Sequence, residues 1–535
     1  MSALGQKQTC AAQRQCPLWG KSGHLVATIG PPLNVAQRVE QCMFDRIPRR
    51  HVVASLTALS FCGLLPHVRA SHAASSEQTI RPLAERLATY ADRLRYDDLD
   101  AATIERVKSH VIDALGCGIA AFDENPVRIC RDVALAHVGD TSSVIGTDRR
   151  VTPDLATFAN GAAIRYYDLN DVYVGRFAGH PSDHIAACLA VAEAERATAS
   201  ELITAVVLAY EINCRLIDAV DIGSWDPPVL SLPAVALAAG KLMKLPPDRL
   251  LQAVNLAVND HIPMGQTRTQ TNSDWKGFAD AEAGRNAVFA AMLARGGLTG
   301  PSPIFEGRKG FFQLISGPTE VDVDAFGRRG VPFRIHQCGM KPYPAVVYAQ
   351  TAIVAGVAIA KELGDLGRIA AVEIATTRRG YEQTGRDLQK WTPDTRDTAD
   401  HSLPYITARA MFDGEINNDS YESGKFRDPH ILAFMRKITV SEDQALTART
   451  GPSTVPIRIT AILTNGQRIV REVDDVPGFV GRPMNRADVE RKFRSNVDKR
   501  WPAERTDDIL QALWTLDETK DLSLLLGMLS VRTKK

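Results

Sequence analysis

TASELITAVVLAYEINCRLIDAV, residues 198–220, sets the texture of the chain. Thr198 followed three residues later by Glu201 is a capping box, and apolar residues then recur at helical spacing as far as Val220. That combination predicts one long and almost wholly buried helix. The pattern continues on both sides. Ile104, Val107, Val111, Leu115 and Ile119 mark one face of an earlier helix. Pro246-Pro247-Asp248 opens another that runs to residue 258, and the small-residue run 281–294 is stopped by Gly296-Gly297. Ala-rich helices of this kind pack closely, as in the interior of a large bundle.

After residue 335 the period changes. Residues 369–377 and 437–440 read as strands. Residues 456–473 read as a hairpin, with Ile457, Ile459, Ala461 and Leu463 alternating before Asn465-Gly466 and then Ile469 and Val473. Between them 345–363 and 402–412 read as helices, and helical patterning returns from 485, notably over 509–526. The chain is therefore expected to be mainly α, with a large all-helical domain (77–335 and the C-terminal helices 483–535) and a smaller α+β domain inserted at 336–482.

Residues 1–76 form an N-terminal extension of a different kind. Arg46, Arg49 and Arg50 precede the apolar run 52–65 and then Ser71-His72-Ala73, which is the order of an export signal over 43–73. The paired Arg49-Arg50 points to the twin-arginine type and a periplasmic protein, the alternative being a cytoplasmic one. The apolar run is too short to span a bilayer stably, so no membrane anchor is expected after cleavage following Ala73. Five Cys then remain, at 117, 130, 188, 214 and 338, with no CxxC pair. Cys117, Cys188 and Cys214 fall in apolar helical runs and read as core residues. Over all 535 residues, 63 Lys+Arg balance 62 Asp+Glu, which gives no reason to expect nucleic acid or an anionic membrane as partner. Hydrophobic residues at 45% exclude wholesale disorder.

The densest polar run is RYYDLNDVYVGRFAGHPSDH, residues 165–184. Asp168 and Asp171 are expected in a loop, with His180 before Pro181 and with Ser182 or Asp183 capping the next helix. A His and a carboxylate held together can exchange protons near neutral pH. The bland alternative makes the acids solvated loop residues and Asp183 only a cap. His180 and His184 are spaced for one helix face, but Pro181 makes His180 a boundary residue and no third ligand is evident, so no metal is expected. Lys276, in Ser273-Asp274-Trp275-Lys276-Gly277, stands at a helix start, where an anion would suit it better than solvent. The bland alternative is a surface Lys over Trp275. Lys341, in Cys338-Gly-Met-Lys341-Pro-Tyr343-Pro344, falls at the domain junction, and Ala399-Asp400-His401-Ser402-Leu403-Pro404-Tyr405 is another polar helix start.

In their order these segments resemble the MmgE/PrpD family, from about residue 83 to 525. The likeness rests on VIDALGCGIAAF (111–122), the 168–183 loop, the Lys276 segment, GLTGPSPIFEGRKGFF (297–312), KPYPAVVYAQTA (341–352) and ADHSLPYITARAMFDG (399–414). The resemblance implies a helical domain with an α+β lid, a homodimer, no cofactor or metal, and a small di- or tricarboxylate substrate. It places Asp168, His180, Lys276 and Tyr405 at catalytic positions and Lys341 at a basic position near them. Arg165, Asp171 and Asp226 join Lys341 as candidate substrate-binding residues. Three departures stand out. Val172 replaces a common Thr, Asp226 stands where the family has a His, and Val346 and Tyr348 occupy two further His positions.

The expected chemistry is that of a hydro-lyase similar to 2-methylcitrate dehydratases. Lys276, with Lys341 and Arg165, would hold substrate carboxylates, His180 oriented by Asp168 would move a proton, and Tyr405 would handle a second. An epimerase or decarboxylase on the same fold, or a non-catalytic carboxylate binder, is the alternative.

Overall fold

The computed structural model describes residues 81–531 apart from 423, 452 and 453. The export-signal segment 43–73 lies outside the described residues. So do the rest of the extension and the first residues of the expected helical domain.

Helices dominate, and the four that the sequence marks before residue 300 are among them. Ala199–Ala219 is the 198–220 segment. Its capping box is formed, with the Glu201 amide donating to Thr198 Oγ1 at 3.2 Å and the Thr198 amide to Glu201 Oε2 at 2.8 Å. This helix packs on Ser231–Leu242, which together with Pro247–Asp260 covers Ala279–Arg295. Pro153–Arg165 closes against the same helix. Small residues set that approach, since a Cβ on Gly161 would stand 3.0 Å from Ala281 Cβ. The C-terminal helix Arg486–Val497 lies along Ala101–Ala120, and its Phe493 joins the first core. The expected helix over 509–526 is instead two helices, Ala503–Trp514 and Leu522–Met528. Asp521 starts the second by accepting the Ser523 amide at 2.9 Å.

A second apolar core surrounds a four-stranded sheet in the order Ile438–Glu442, Ile369–Thr376, Ile457–Leu463 and Arg468–Val473. The first pair is parallel and the other two are antiparallel. The hairpin is as read from the alternation: Ile457, Ile459 and Ala461 are buried, and Gly466 turns the chain at φ +85°. Gln350–Leu363 lies on the hairpin, and Leu403–Asp413 packs beside it.

The strand Asp171–Val174 sits where the two cores meet. Its alternating side chains divide between them, Tyr173 entering the first core and Val172 and Val174 the second. It pairs antiparallel with Gly339–Met340, with Asp171 opposite Met340, and this register delivers Lys341 to the strand's beginning. Asp171 is therefore in a strand, not in a loop as the sequence suggested. Both cores lie within one compact unit.

Candidate active site

Asp168 is the centre of the site, and a local turn aims it. The helix Pro153–Arg165 ends three residues earlier, and Asp168 adopts φ 52° while its amide donates to the Arg165 carbonyl at 3.0 Å. A left-handed conformation outside glycine is uncommon and persists where the surroundings enforce it. Here the turn folds the carboxylate back onto the Arg165 guanidinium, which donates to Oδ1. Lys341 Nζ donates to the same oxygen and, at 3.0 Å, to the Asp168 carbonyl. Burial disfavours the carboxylate form, but Arg165, Lys341 and Lys276 outweigh it and hold Asp168 well below the usual carboxylate range.

Two imidazoles face this carboxylate. His180 Nδ1 donates to the Asp171 carbonyl at 2.7 Å, which leaves Nε2 pointing to Asp168 Oδ1 at 3.9 Å. His401 Nδ1 lies 2.6 Å from Asp400 Oδ1, and its Nε2 points to the other Asp168 oxygen, again at 3.9 Å. Burial, with the nearby cations, holds both rings neutral: His180 falls well below its ordinary value and His401 to about 3. The orienting partner of His180 is thus the Asp171 backbone. The Asp171 carboxylate in turn accepts from the Ser182 amide at 2.9 Å and from the Tyr210 hydroxyl at 2.7 Å, with His110 Nδ1 at 2.9 Å. Ser182 and Asp183 do not cap a helix with their side chains. Asp183 instead accepts from Asn170 Nδ2 at 2.7 Å.

Lys276 is fully buried while its neighbour Trp275 is 45% exposed, so the surface-lysine alternative fails. The turn Asp274–Gly277 holds it against the Asp168 turn, because a Cβ on Gly277 would come 3.5 Å from Tyr166 Cα. Its ammonium bonds both Asp400 oxygens at 3.0 and 3.2 Å and lies 3.5 Å from Asp397. Burial pushes Asp397 up to about 6 against the pull of Lys276. Lys341 is pushed down to about 8, by burial first and then by Arg165, while Asp168 opposes the shift.

The other sequence candidates stand further out. Asp226 accepts from Arg268 Nε at 2.6 Å and Nη2 at 3.3 Å, and Arg268 Nη1 donates to the Lys276 carbonyl at 3.2 Å. Asp226 therefore braces the Lys276 turn through an arginine. The Tyr405 hydroxyl donates to the Ser420 carbonyl and is not brought to Asp168. Tyr421, whose ring centre lies 6.2 Å from that of Tyr405, has a buried hydroxyl with no hydrogen-bond partner. It lines a cleft of about 380 Å³ with Tyr166, Tyr167 and Arg396, on the same segments that carry Asp168 and Asp400.

The sequence reading did not select Asp397, Asp400 or His401. The run 399–405 reads as a polar helix start, and the family resemblance points within it to Tyr405 alone. Its helix starts at the Ser402 cap, which accepts the Tyr405 amide at 3.1 Å, so the two residues before the cap turn inward. Among the described residues, no three His, Cys, Asp or Glu side chains converge as a metal-holding group.

Imidazoles, lysines and a carboxylate packed together between two cores can move protons beside an anion, and that is the chemistry of an acid–base enzyme. The family follows from comparison with known proteins. A model of the MmgE/PrpD N-terminal domain matches residues 85–324, and one of the MmgE/PrpD C-terminal domain matches 343–516. The chain belongs to the MmgE/PrpD family. It is 28% identical over 463 residues to a 2-methylcitrate dehydratase of Cupriavidus necator, covering 80% of this chain and 92% of that one. It is 28% identical over 431 residues to the 2-methylcitrate dehydratase of Salmonella typhimurium, covering 75% and 87%. A cis-aconitate decarboxylase of Mus musculus is 24% identical over 470 residues, covering 84% and 94%.

Proposed function

We propose that this protein is a carbon–oxygen lyase that removes water from a small hydroxy-polycarboxylate of the 2-methylcitrate type. One observation carries the reading: His180 presents an unprotonated Nε2 to a carboxylate ringed by Arg165, Lys341 and Lys276. An anionic substrate entering that ring meets cations for its carboxylates and a base for its carbon-bound proton. Lys276 and Lys341 stabilise the enolate-like charge as the C–H bond breaks, and Asp168 holds the cations and imidazoles in register. Asp171 and Asp226 act as supports, the first through the His180 segment and the second through Arg268. The cleft lined by Arg396 and the three tyrosines is the way in.

We assign residues 336–482 the role of a lid over the helical part, the protein to homodimers, and residues 43–73 to a twin-arginine export signal that delivers it to the periplasm. The likeness to 2-methylcitrate dehydratases supports elimination. An epimerase needs a second acid–base group, and Asp226, the acid that stands where the family has a His, is paired with Arg268, which counts against that role.

The test is to incubate the purified protein with hydroxy-, unsaturated and amino-polycarboxylates in deuterated water and follow the mixtures by NMR. Elimination gives an alkene from a hydroxy acid, with deuterium entering the carbon acid. Binding without exchange at any carbon would sink the assignment.

A further inference from the structure

Among the described residues His110, His184 and His401 are buried and His180 is nearly so, with 11% of its side chain exposed, and burial alone gives the four no common purpose. His184 has both ring nitrogens buried without a hydrogen-bond partner. His110 is packed edge-on to Tyr210, with ring centres 5.3 Å apart, and its Nδ1 lies by Asp171. These two read as parts of the packing. His180 and His401 differ from them and match each other. Each has Nδ1 tied back, to the Asp171 carbonyl at 2.7 Å and to Asp400 at 2.6 Å. Each turns Nε2 to one oxygen of Asp168 at 3.9 Å, beyond hydrogen-bond reach. The tethers fix the proton on Nδ1 in both rings and leave both Nε2 lone pairs directed at one centre. A histidine placed only to fill space needs no such mirror partner.

We infer that His401 is a second catalytic acid–base group, working with His180 from the opposite side of Asp168. The inference rests on the lyase reading above. In elimination, one imidazole takes the carbon-bound proton as the C–H bond breaks and the C=C bond forms. The other, as imidazolium, gives its proton to the departing hydroxyl as the C–O bond breaks. The products are the alkene and water, the two rings have exchanged protonation states, and proton exchange with water restores them. The groups facing His401 are Asp400, Asp168 and Lys276. Burial first and Lys276 second keep the ring neutral, and substrate carboxylates set against Lys276 offset the second of these, which favours a proton on the ring during turnover.

The competing role is positioning, in which His401 only holds Asp400 against Lys276. His401→Asn separates the two, because the Asn amide can still donate to Asp400 where Nδ1 does but nothing replaces Nε2. His401→Gln places an amide near Nε2 that cannot exchange a proton. Wild type is measured first, as turnover of the hydroxy-polycarboxylate and deuterium entry. Binding of tricarballylate, a tricarboxylate with no hydroxyl to lose, is measured in all variants. The expected result is a fall in kcat of about 100-fold or more in both variants, with tricarballylate affinity within about threefold of wild type. His401→Asn within about threefold of wild-type kcat overturns the inference, as does failure of both variants to fold. If wild type turns over nothing, the lyase reading has failed and this inference falls with it. That outcome is distinct, because it appears before any variant is made.

Discussion

Replacing Lys276 by Ala should destabilise the protein before it reports anything about catalysis. Lys276 Nζ lies 3.0 Å from Asp400 and 3.5 Å from Asp397, and all three side chains are buried. At an effective dielectric near 20, each contact is worth roughly 5 kcal/mol before desolvation is counted. Desolvation offsets much of that in the intact group. Removal of the cation, however, leaves two carboxylates facing each other out of water, for which a net cost of about 3–5 kcal/mol is usual. With an unfolding entropy near 2.1 cal/mol/K per residue over the roughly 450 described residues, this amounts to a fall in Tm of about 3–5 °C.

The deficit should depend on pH. Asp397 already sits at about 6 with Lys276 present, and loss of the cation moves it higher. A carboxyl raised above its unfolded value makes the folded state the better proton binder, so its penalty is absent at low pH and grows as pH rises through that range. Thermal unfolding of wild type, Lys276→Ala and Lys276→Ala/Asp400→Asn at pH 8 and pH 5.5 tests this. The single variant should be worst at pH 8 and should recover at pH 5.5, and the double variant should regain about half the loss. A Tm within 1 °C of wild type at pH 8, or a deficit that widens on acidification, would refute the charge-balance argument.

Lys341 must be a cation to hold a substrate carboxylate, so kcat/KM should be full below about pH 8 and fall above it, and Lys341→Arg should move that alkaline limb upward in a profile from pH 6 to 10. A limb unmoved by the substitution assigns it elsewhere. Tyr405→Phe should keep kcat within about threefold and lose about 1 kcal/mol of stability, because its hydroxyl serves the Ser420 carbonyl; a loss of 100-fold in kcat at unchanged Tm would show that the hydroxyl does chemistry. In a bacterial host, the full chain should appear in the periplasm beginning at Ala74, and Arg49→Lys/Arg50→Lys should leave it uncleaved in the cytoplasm. Fractionation with N-terminal sequencing decides it.

The helices and the hairpin were legible because their causes are local. Thr198 and Glu201 are one turn apart, and Asn465-Gly466 needs only its two flanking strands. The site was legible only in part, because its partners are remote. Lys276 is held by Asp397 and Asp400, more than 120 residues away, and an isolated Lys before a helix has no local reason to be buried. Asp226 reads as a site residue in the sequence, and in the fold Arg268, 42 residues on, occupies it. His110 and Tyr210, which buttress Asp171, lie on helices whose apolar spacing says only that they are buried somewhere. One regularity does join the two levels. His180 precedes Pro181, the residue that opens the turn into Ile185–Ala194; Lys276 lies in the turn before Ala279–Arg295; His401 precedes the cap of Leu403–Asp413. Three side chains carried just ahead of helices therefore face one carboxylate, that of Asp168. The sequence showed three polar residues just ahead of helices; only the packing shows that they turn to the same centre.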